Sequence, residues 1–171
     1  MRILGIDPGF ERLGIAILEK PSIGVSYDSI GNSYAKHKEK VIFSTCFKTS
    51  AKLEFSERLK LIGEEVKKVI QEYKPDVLSI ETLFLNTNQK TVMRVAEARG
   101  VCIYEAKLAN LQIFEATPLQ IKVAITGYGR SDKNQINKMV HMLVDIDKKT
   151  KSDDELDAIA IALTAFAHLK Y

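Results

Sequence analysis

Residues 2–9 read RILGIDPG, and this stretch decides the fold that the rest of the chain must form. Its apolar run is typical of a buried β-strand, Asp7 is the acid at the end of that strand, and the Pro-Gly pair forces a turn. Residues 77–81, VLSIE, repeat the arrangement with Glu81 as the terminal acid. A carboxylate at the end of a buried strand is costly unless a cation or a basic partner offsets its charge. Both acids are therefore expected to serve a metal site.

A second pair of acids lies near the start of the last apolar segment. Asp154 and Asp157 are three residues apart, so they share one face of a helix. Ser152 and Glu155 form a capping box that begins this helix. The helix dipole accounts for acids in the first turn, but Asp157 lies beyond its best reach, among apolar residues. The four predicted metal-binding, catalytic acids are therefore Asp7, Glu81, Asp154 and Asp157.

The order of predicted elements indicates a mixed α/β fold with a five-stranded sheet flanked by helices, in one domain over residues 1–171. Three strands come first and helices alternate with strands afterwards, an order that resembles ribonuclease-H-like folds. The segment from Pro21 to Lys40 is rich in Ser, Gly, Lys and Tyr and is expected to be an extended hairpin loop or flap. The predicted strands cover 2–7, 12–19, 41–48, 76–81 and 111–117. The predicted helices cover a segment from Phe55 that Lys74-Pro75 ends, then 90–110, 118–125, a segment from Lys133, and a segment from Asp153.

The composition excludes several classes of protein. No segment is apolar enough to span a bilayer, and Asp7 interrupts a signal-peptide interpretation, so a cytoplasmic protein with no membrane partner is expected. Cys46 and Cys102 lie in apolar segments without metal-ligand spacing and are expected to be core residues in a reducing compartment. The three histidines are scattered along the chain, and no chemical role is expected for them.

Positive charge is concentrated between the second acid and the last pair. Residues 86–151 contain 11 Lys+Arg against 6 Asp+Glu, although the net charge of the whole chain is only +3. Such a segment suits a polyanion that approaches an acidic centre, and an ordinary solvated surface is the alternative.

A set of ordered motifs resembles the RuvC family of Holliday-junction resolvases, and the resemblance covers nearly the whole chain. Each motif alone is unspecific, whereas the ordered set is highly specific. The motifs are Gly5-Ile6-Asp7-Pro8-Gly9 with Gly14, Ile80-Glu81 with Phe84, Ala98-Arg99-Gly100-Val101, and Asp154-x-x-Asp157 followed by Ala158-Ile159-Ala160-Ile161-Ala162.

The resemblance implies a structure-selective endonuclease that resolves four-way junctions by paired nicking. Two Mg²⁺ ions, for which Mn²⁺ substitutes, would be held by the four acids, and the products would carry 5′-phosphate and 3′-hydroxyl ends. Lys122 and Lys133 match basic, catalytic positions near the scissile phosphate, and Phe84 matches an aromatic that stacks on a base at the junction centre. The expected DNA-binding residues are Phe84, Asn86, Asn88, Lys90, Lys122, Arg130 and Lys133.

The expected partners follow from the substrate. A four-way junction has approximate two-fold symmetry, so paired nicking calls for a homodimer, and the resemblance adds a branch-migration helicase complex. The helix predicted over 90–110 is the candidate interface because it has more apolar surface than one buried face needs; the alternative is that this surface is core. The apolar residues concerned are Val92, Val95, Ala96, Val101, Cys102 and Ile103.

Three other functions are weighed against the resolvase. The segment from Asp7 to Ala16 also resembles a small family of ribonuclease-H-like nucleases that process pre-ribosomal RNA. An actin-like phosphotransferase would share an Asp-x-Gly turn, but the chain leaves no room for its second phosphate-binding domain. A non-catalytic junction-binding protein is disfavoured because all four acids are present. Against the RuvC pattern, the segment 21–40 is longer than usual.

Overall fold

The computed structural model describes residues 1–20, 38–83, 89–146 and 152–169, with the side chains of residues 89, 90 and 145 excepted. A mixed six-stranded sheet has the order β5-β4-β1-β2-β3-β6 and is covered by helices on both faces. Among the residues described, none of the helices is long and apolar enough to cross a membrane. In chain order the elements are β1 Arg2–Asp7, β2 Arg12–Glu19, β3 Glu39–Lys48, α1 Phe55–Tyr73, β4 Val77–Glu81, α2 Gln89–Leu108, β5 Gln112–Ala116, α3 Pro118–Thr126, α4 Lys133–Leu143, β6 Val144–Asp145 and α5 Asp153–His168.

The two faces of the sheet belong to two separate cores, because successive side chains of a strand point to opposite sides. On β1, Leu4 and Ile6 pack into the core formed with α1 and α2, whereas Ile3 packs into the core formed with α3, α4 and α5. The same alternation on β4 gives Leu78 and Ile80 to the α1–α2 core. The acid that ends each of these two strands therefore faces α5.

Helix α5 lies unusually close to the sheet because the strands beneath it carry small residues. A Cβ atom on Gly5 of β1 would stand 2.2 Å from the carbonyl oxygen of Ala158 and 2.8 Å from the Cβ of Ala162. On β4, the buried hydroxyl of Ser79 donates a hydrogen bond of 2.7 Å to the carbonyl oxygen of Ile161. The contact is thus made backbone to backbone, which fixes the height and direction of α5 over the sheet.

The outer side of helix α2 is exposed, and its inner side packs on α1 and the sheet. Ala98, Cys102 and Ala106 are fully buried, whereas Met93 and Tyr104 are 67% and 61% exposed. The six apolar residues predicted from the sequence therefore do not form one free surface. Cys102 is core, Val101 and Ile103 are partly buried against that core, and Ala96 is exposed. Cys102, Val101 and Ile103 therefore fit the alternative that this apolar surface is core, whereas a dimer interface on α2 stays a prediction.

The predicted mixed sheet flanked by helices is confirmed, and the structure adds a sixth strand. Val144 and Asp145 follow α4 directly and pair in parallel with Glu39 and Lys40. A two-residue strand has no periodicity that a sequence can reveal. Because β3 begins at Glu39, the predicted loop over 21–40 is wrong at its end; its residues 21–37 lie outside the described part of the chain.

The close approach of α5 gives a test of the packing. We expect Gly5→Ala to lower the free energy of unfolding by roughly 1–3 kcal/mol, since the added methyl group has no space against the α5 backbone. Lys67→Ala, at an exposed position of α1, is the control, and it should change the free energy of unfolding by less than about 0.5 kcal/mol. Urea denaturation of both variants measures the difference, and equal effects would contradict the proposed packing.

Candidate active site

Neighbouring strands bring Asp7 and Glu81 to the same end of the sheet. Strands β1 and β4 run parallel, with Ile6 opposite Ile80, so the two acids follow side by side. Asp154 and Asp157 occupy the first two turns of α5, which lies on the face to which both strand acids point. All four carboxylates are half-buried. The structure therefore brings together the four acids that the sequence predicts as one site.

Gly14 allows the first turn of α5 to lie directly against the sheet next to Asp7. It is the residue of β2 that pairs with Asp7, and a Cβ atom on it would stand 2.1 Å from the carbonyl oxygen of Asp154 and 3.1 Å from the Cβ of Asp7. Any side chain at this position would push the first turn of α5 away from β1. The contact with α5 therefore requires glycine at position 14, which is part of the sequence motif.

The pKa values of the strand acids are raised, and the neighbouring acids are among the causes. Burial raises the pKa of Asp7 from 3.8 to about 7, and the negative charges of Asp157, Glu81 and Asp154 contribute to that rise, against a smaller opposing effect of Lys133. Burial and Asp157 also raise the pKa of Glu81. Carboxylates that repel one another in this way have unbalanced negative charge, which a cation would neutralise.

Lys133, at the start of α4, is the basic residue bound to this group. Its ammonium group donates to Asp157 at 3.1 Å and lies 3.4 Å from the carboxylate of Asp153. Burial raises the pKa of Asp157, and the hydrogen bond and charge of Lys133 offset part of that rise. The structure therefore places Lys133 beside one of the four acids, while its role at the scissile phosphate stays a prediction.

Asp154 has two partners that the sequence analysis missed. Arg12 forms an ion pair with its Oδ2, and the Cys46 thiol donates to the same oxygen at 3.3 Å. Burial by itself raises the pKa of Asp154, but the hydrogen bonds from Cys46 and Arg12 outweigh burial and hold it below its ordinary value. The core role predicted for Cys46 is wrong, because this residue is half-buried at the site, whereas Cys102 is fully buried as expected.

Strand register explains why Cys46 lies there. Asp7 of β1 pairs with Gly14 of β2, and Gly14 pairs with Cys46 of β3, so the three residues form a row across the sheet. The first turn of α5 lies over that row. The sequence analysis did not place Cys46 at the site because this requires the register of β2 with β3. Spacing along the chain does not relate residue 46 to residue 7.

The turn that follows Asp7 is held by a buried arginine, Arg58 of α1. Arg58 is only 4% exposed, and its guanidinium donates to the carbonyl oxygen of Phe10 at 3.1 Å and to the hydroxyl of Thr49 at 2.9 Å. It also lies over the Phe10 ring, 4.8 Å from its centroid. Buried hydrogen bonds of this kind fix a loop more firmly than chain connectivity alone.

A cleft of about 280 Å³ opens next to the acids. Glu81 and Asp157 lie on its wall together with Lys122 and Lys133, so both predicted lysines face the same space as two of the acids. Its remaining lining is mostly apolar, from Pro118, Ile121, Ile136, Ala160 and Ile161, with Ser131 and Asp132.

Arg130 lies in the loop between α3 and α4, on the chain segment that joins the two lysines. Phe84, Asn86 and Asn88, which the sequence predicts as DNA contacts, lie outside the described residues, as does the side chain of Lys90.

The carboxylates suit a divalent cation by the chemistry of their donors. Hard oxygen ligands are those that Mg²⁺ prefers, and burial together with the charges of the neighbouring acids raises the pKa of Asp7. As the described side chains are placed, no three from His, Cys, Asp and Glu stand close enough together to hold an ion. Arg12 and Lys133 instead bind Asp154 and Asp157. By the chemistry of its oxygen donors the site fits a metal, and in the structure Arg12 and Lys133 supply the counter-charge.

Fold and site together define a class: a ribonuclease-H-like protein with a carboxylate centre at the end of its sheet. The family model for crossover junction endodeoxyribonuclease RuvC matches residues 3–165. The protein of that name from Thermosipho melanesiensis is 41% identical over 162 residues, which cover 95% of this chain and 94% of the relative. This chain belongs to the crossover junction endodeoxyribonuclease RuvC family.

Two solved structures of Thermus thermophilus RuvC have the same fold. One superimposes with a TM-score of 0.84 at 25% sequence identity and covers 98% of this chain and 95% of the other. The second, in complex with a Holliday junction substrate, gives a TM-score of 0.83 at 24% identity and covers 98% and 94%.

The pKa of Asp7 predicts how stability changes with pH when metal is removed. The pKa of Asp7 is about 7 in the folded chain, against the usual value of 3.8 for an aspartate. Between these two pH values the folded chain keeps a proton on Asp7 that the unfolded chain has lost. The free energy of unfolding should therefore fall as the pH rises from about 4 to about 7. We expect Asp7→Asn in a chelator to be more stable than the wild type at about pH 8 and to lose that advantage near pH 4. Urea denaturation at both pH values measures it, and equal stability at the higher pH would contradict the raised pKa.

Proposed function

We propose that this chain is a structure-selective endonuclease that resolves four-way DNA junctions by symmetric paired nicking and leaves 5′-phosphate and 3′-hydroxyl ends. The observation that carries the proposal is the group of four carboxylates at one end of the sheet, beside a cleft lined by two lysines. Membership of the RuvC family supplies the substrate class, since the T. thermophilus relative was solved with a Holliday junction.

Asp7, Glu81, Asp154 and Asp157 are the residues that would hold two Mg²⁺ ions, or Mn²⁺ in their place. When bound, such ions polarise a phosphodiester and neutralise its developing charge, as in other two-metal nucleases. Lys133 and Arg12 hold two of these acids, and they would be free to bind a phosphate if the carboxylates held cations instead. Lys122, on the cleft wall, is proposed to hold phosphate and stabilise its charge in the transition state.

Further DNA contacts are proposed beyond the acids. Lys122 and Lys133 line this cleft from α3 and α4, and Arg130 belongs to the loop between these helices. Phe84, Asn86, Asn88 and Lys90 remain part of the proposal through the family resemblance. Phosphate contacts of this kind provide affinity without reading sequence.

Substitution of any of the four acids should affect cleavage of the junction but not its binding. We expect Asp7→Asn, Glu81→Gln, Asp154→Asn and Asp157→Asn each to reduce cleavage of a synthetic four-way junction in Mg²⁺ by at least about 10²-fold, because each removes a proposed metal ligand. Binding of the same junction should persist, since affinity comes mostly from phosphate contacts elsewhere. Gel-shift and cleavage assays on each variant measure the two effects.

Asp76→Asn is the matched control, because it makes the same chemical change at the opposite end of β4, where Asp76 accepts a hydrogen bond from the Arg2 amide. It should cleave like the wild type. A linear duplex and an RNA hairpin distinguish the alternatives: cutting of the hairpin alone would favour the RNA-processing nuclease, and binding without any cutting would favour a non-catalytic junction-binding protein.

The proposal includes a homodimer that uses the outer side of α2. Met93, Gly100 and Tyr104 lie on one exposed stripe of this helix, since they are seven and four residues apart. Leu108, also 61% exposed, extends it. One set of four acids gives one active site per chain, so a dimer would place two sites across the two-fold symmetry of a junction. The branch-migration helicase stays part of the proposal as a further partner.

The dimer can be tested by mass. Sedimentation at micromolar concentration should show about twice the 19.2 kDa chain mass, with or without DNA. Tyr104→Glu places a charge on the exposed stripe and should shift the protein to monomer, whereas Met142→Glu, at a similarly exposed position on α4, should leave the dimer intact. A wild-type monomer that nicks both strands at normal rates would exclude this assembly but leave the metal chemistry untouched.

A further inference from the structure

Arg99 of α2 connects this helix to the end of the strand that carries Glu81. Its Nε donates a hydrogen bond of 2.9 Å to the backbone carbonyl oxygen of Glu81. Its terminal nitrogen forms an ion pair with the carboxylate of Glu115 on β5. The Arg99 side chain is only 16% exposed, so these bonds are partly shielded from water.

The peptide that Arg99 holds lies where the pairing of β4 with β1 has ended. That pairing runs from Ile3–Val77 to Ile6–Ile80, one residue short of Glu81. On its other side, β4 still pairs with β5 through Glu81 and Ala116. The Thr82 amide, in the same peptide group, donates a hydrogen bond of 2.9 Å to the carbonyl oxygen of Ala116 on the β5 side. The Arg99 hydrogen bond holds the other end of this peptide group, the carbonyl oxygen of Glu81.

Arg99 reaches Glu81 from the face of the sheet opposite to the acids. Ile80 packs into the α1–α2 core, so the side chain of Glu81 points to the α5 face, where Asp157 raises its pKa. Arg99 therefore does not compete with a cation for the carboxylate. The charge of its guanidinium is balanced by Glu115 instead.

We propose that Arg99 is a positioning residue for Glu81: by holding the backbone of Glu81 from α2, it fixes the direction in which that carboxylate meets the metal. The inference rests on the proposed function in that Glu81 is taken as a metal ligand. Groups that orient a ligand in this way typically change metal affinity or activity by about 10–100-fold when they are removed. Glu115 takes part because it anchors the guanidinium.

The test compares Arg99→Gln, Arg99→Lys and the wild type. Calorimetric titration of Mn²⁺ into the DNA-free protein should show about 10-fold weaker binding in Arg99→Gln, with Arg99→Lys between the two. The Mg²⁺ concentration for half-maximal junction cleavage should rise by a similar factor of about 10. Junction binding in a chelator should not change, because Arg99 is not a proposed phosphate contact.

Two further variants keep the test decisive. Glu115→Ala removes the anchor at a half-exposed position and should shift the metal requirement in the same direction by a smaller factor; it decides the question if Arg99→Gln does not fold. Lys67→Gln removes one positive charge from the exposed side of α1 and should leave the metal requirement unchanged.

The outcomes separate three cases. A lower melting temperature with wild-type Mn²⁺ binding and Mg²⁺ requirement would show a purely structural arginine and overturn the proposal. Unchanged metal binding with unchanged stability would overturn it as well. If the wild type cleaves no junction, the proposed function fails, yet the calorimetric comparison of Arg99 variants still decides whether this residue positions a metal ligand.

Discussion

The site depends on one packing constraint, the backbone-to-backbone contact of α5 with β1 and β2. Gly5 and Gly14 leave no space between the sheet and the carbonyl oxygens of Ala158 and Asp154. Since these contacts are made by main-chain atoms, the helix cannot slide or tilt without a steric clash. The interior of a protein resists such changes because it is packed as densely as an organic crystal. Asp154 and Asp157 are consequently placed over the strand ends by the backbone, and their own side chains need not hold them there.

This packing brings negative charges together, and the surrounding basic residues neutralise only part of that charge. Four half-buried carboxylates lie close together, and burial with their mutual repulsion raises the pKa of Asp7 to about 7. Arg12 and Lys133 offset the charge of the two α5 acids, but Asp7 and Glu81 form no ion pair with any of the described side chains. The negative charge left at the strand ends is where a divalent cation would be stabilised most.

Most of the elements and the positions of the four acids could be predicted from the sequence, because they depend on short-range patterns; the two-residue strand β6 could not. A strand that ends in an acid, an acid pair three residues apart and a capping box are all read within a few residues. Arg12, Cys46 and Arg99 could not be assigned in the same way, since their contacts depend on strand register and on which side of α2 faces the sheet. Burial also separates Cys46 from Cys102, although the two look alike in sequence.

The two faces of the sheet differ in what they hold, and Glu81 has contacts on both. Its carboxylate lies near Asp157 of α5, and its backbone accepts a hydrogen bond from Arg99 of α2. The α5 face holds the carboxylates, whereas the α1–α2 face provides a core, and the outer side of α2 is exposed. Arg99 lies on α2 next to Gly100 of that exposed side, and it contacts the backbone of Glu81 on the other. Arg99 thus joins α2 to the strand end that carries Glu81 through one hydrogen bond, from the side of the sheet that does not hold the acids.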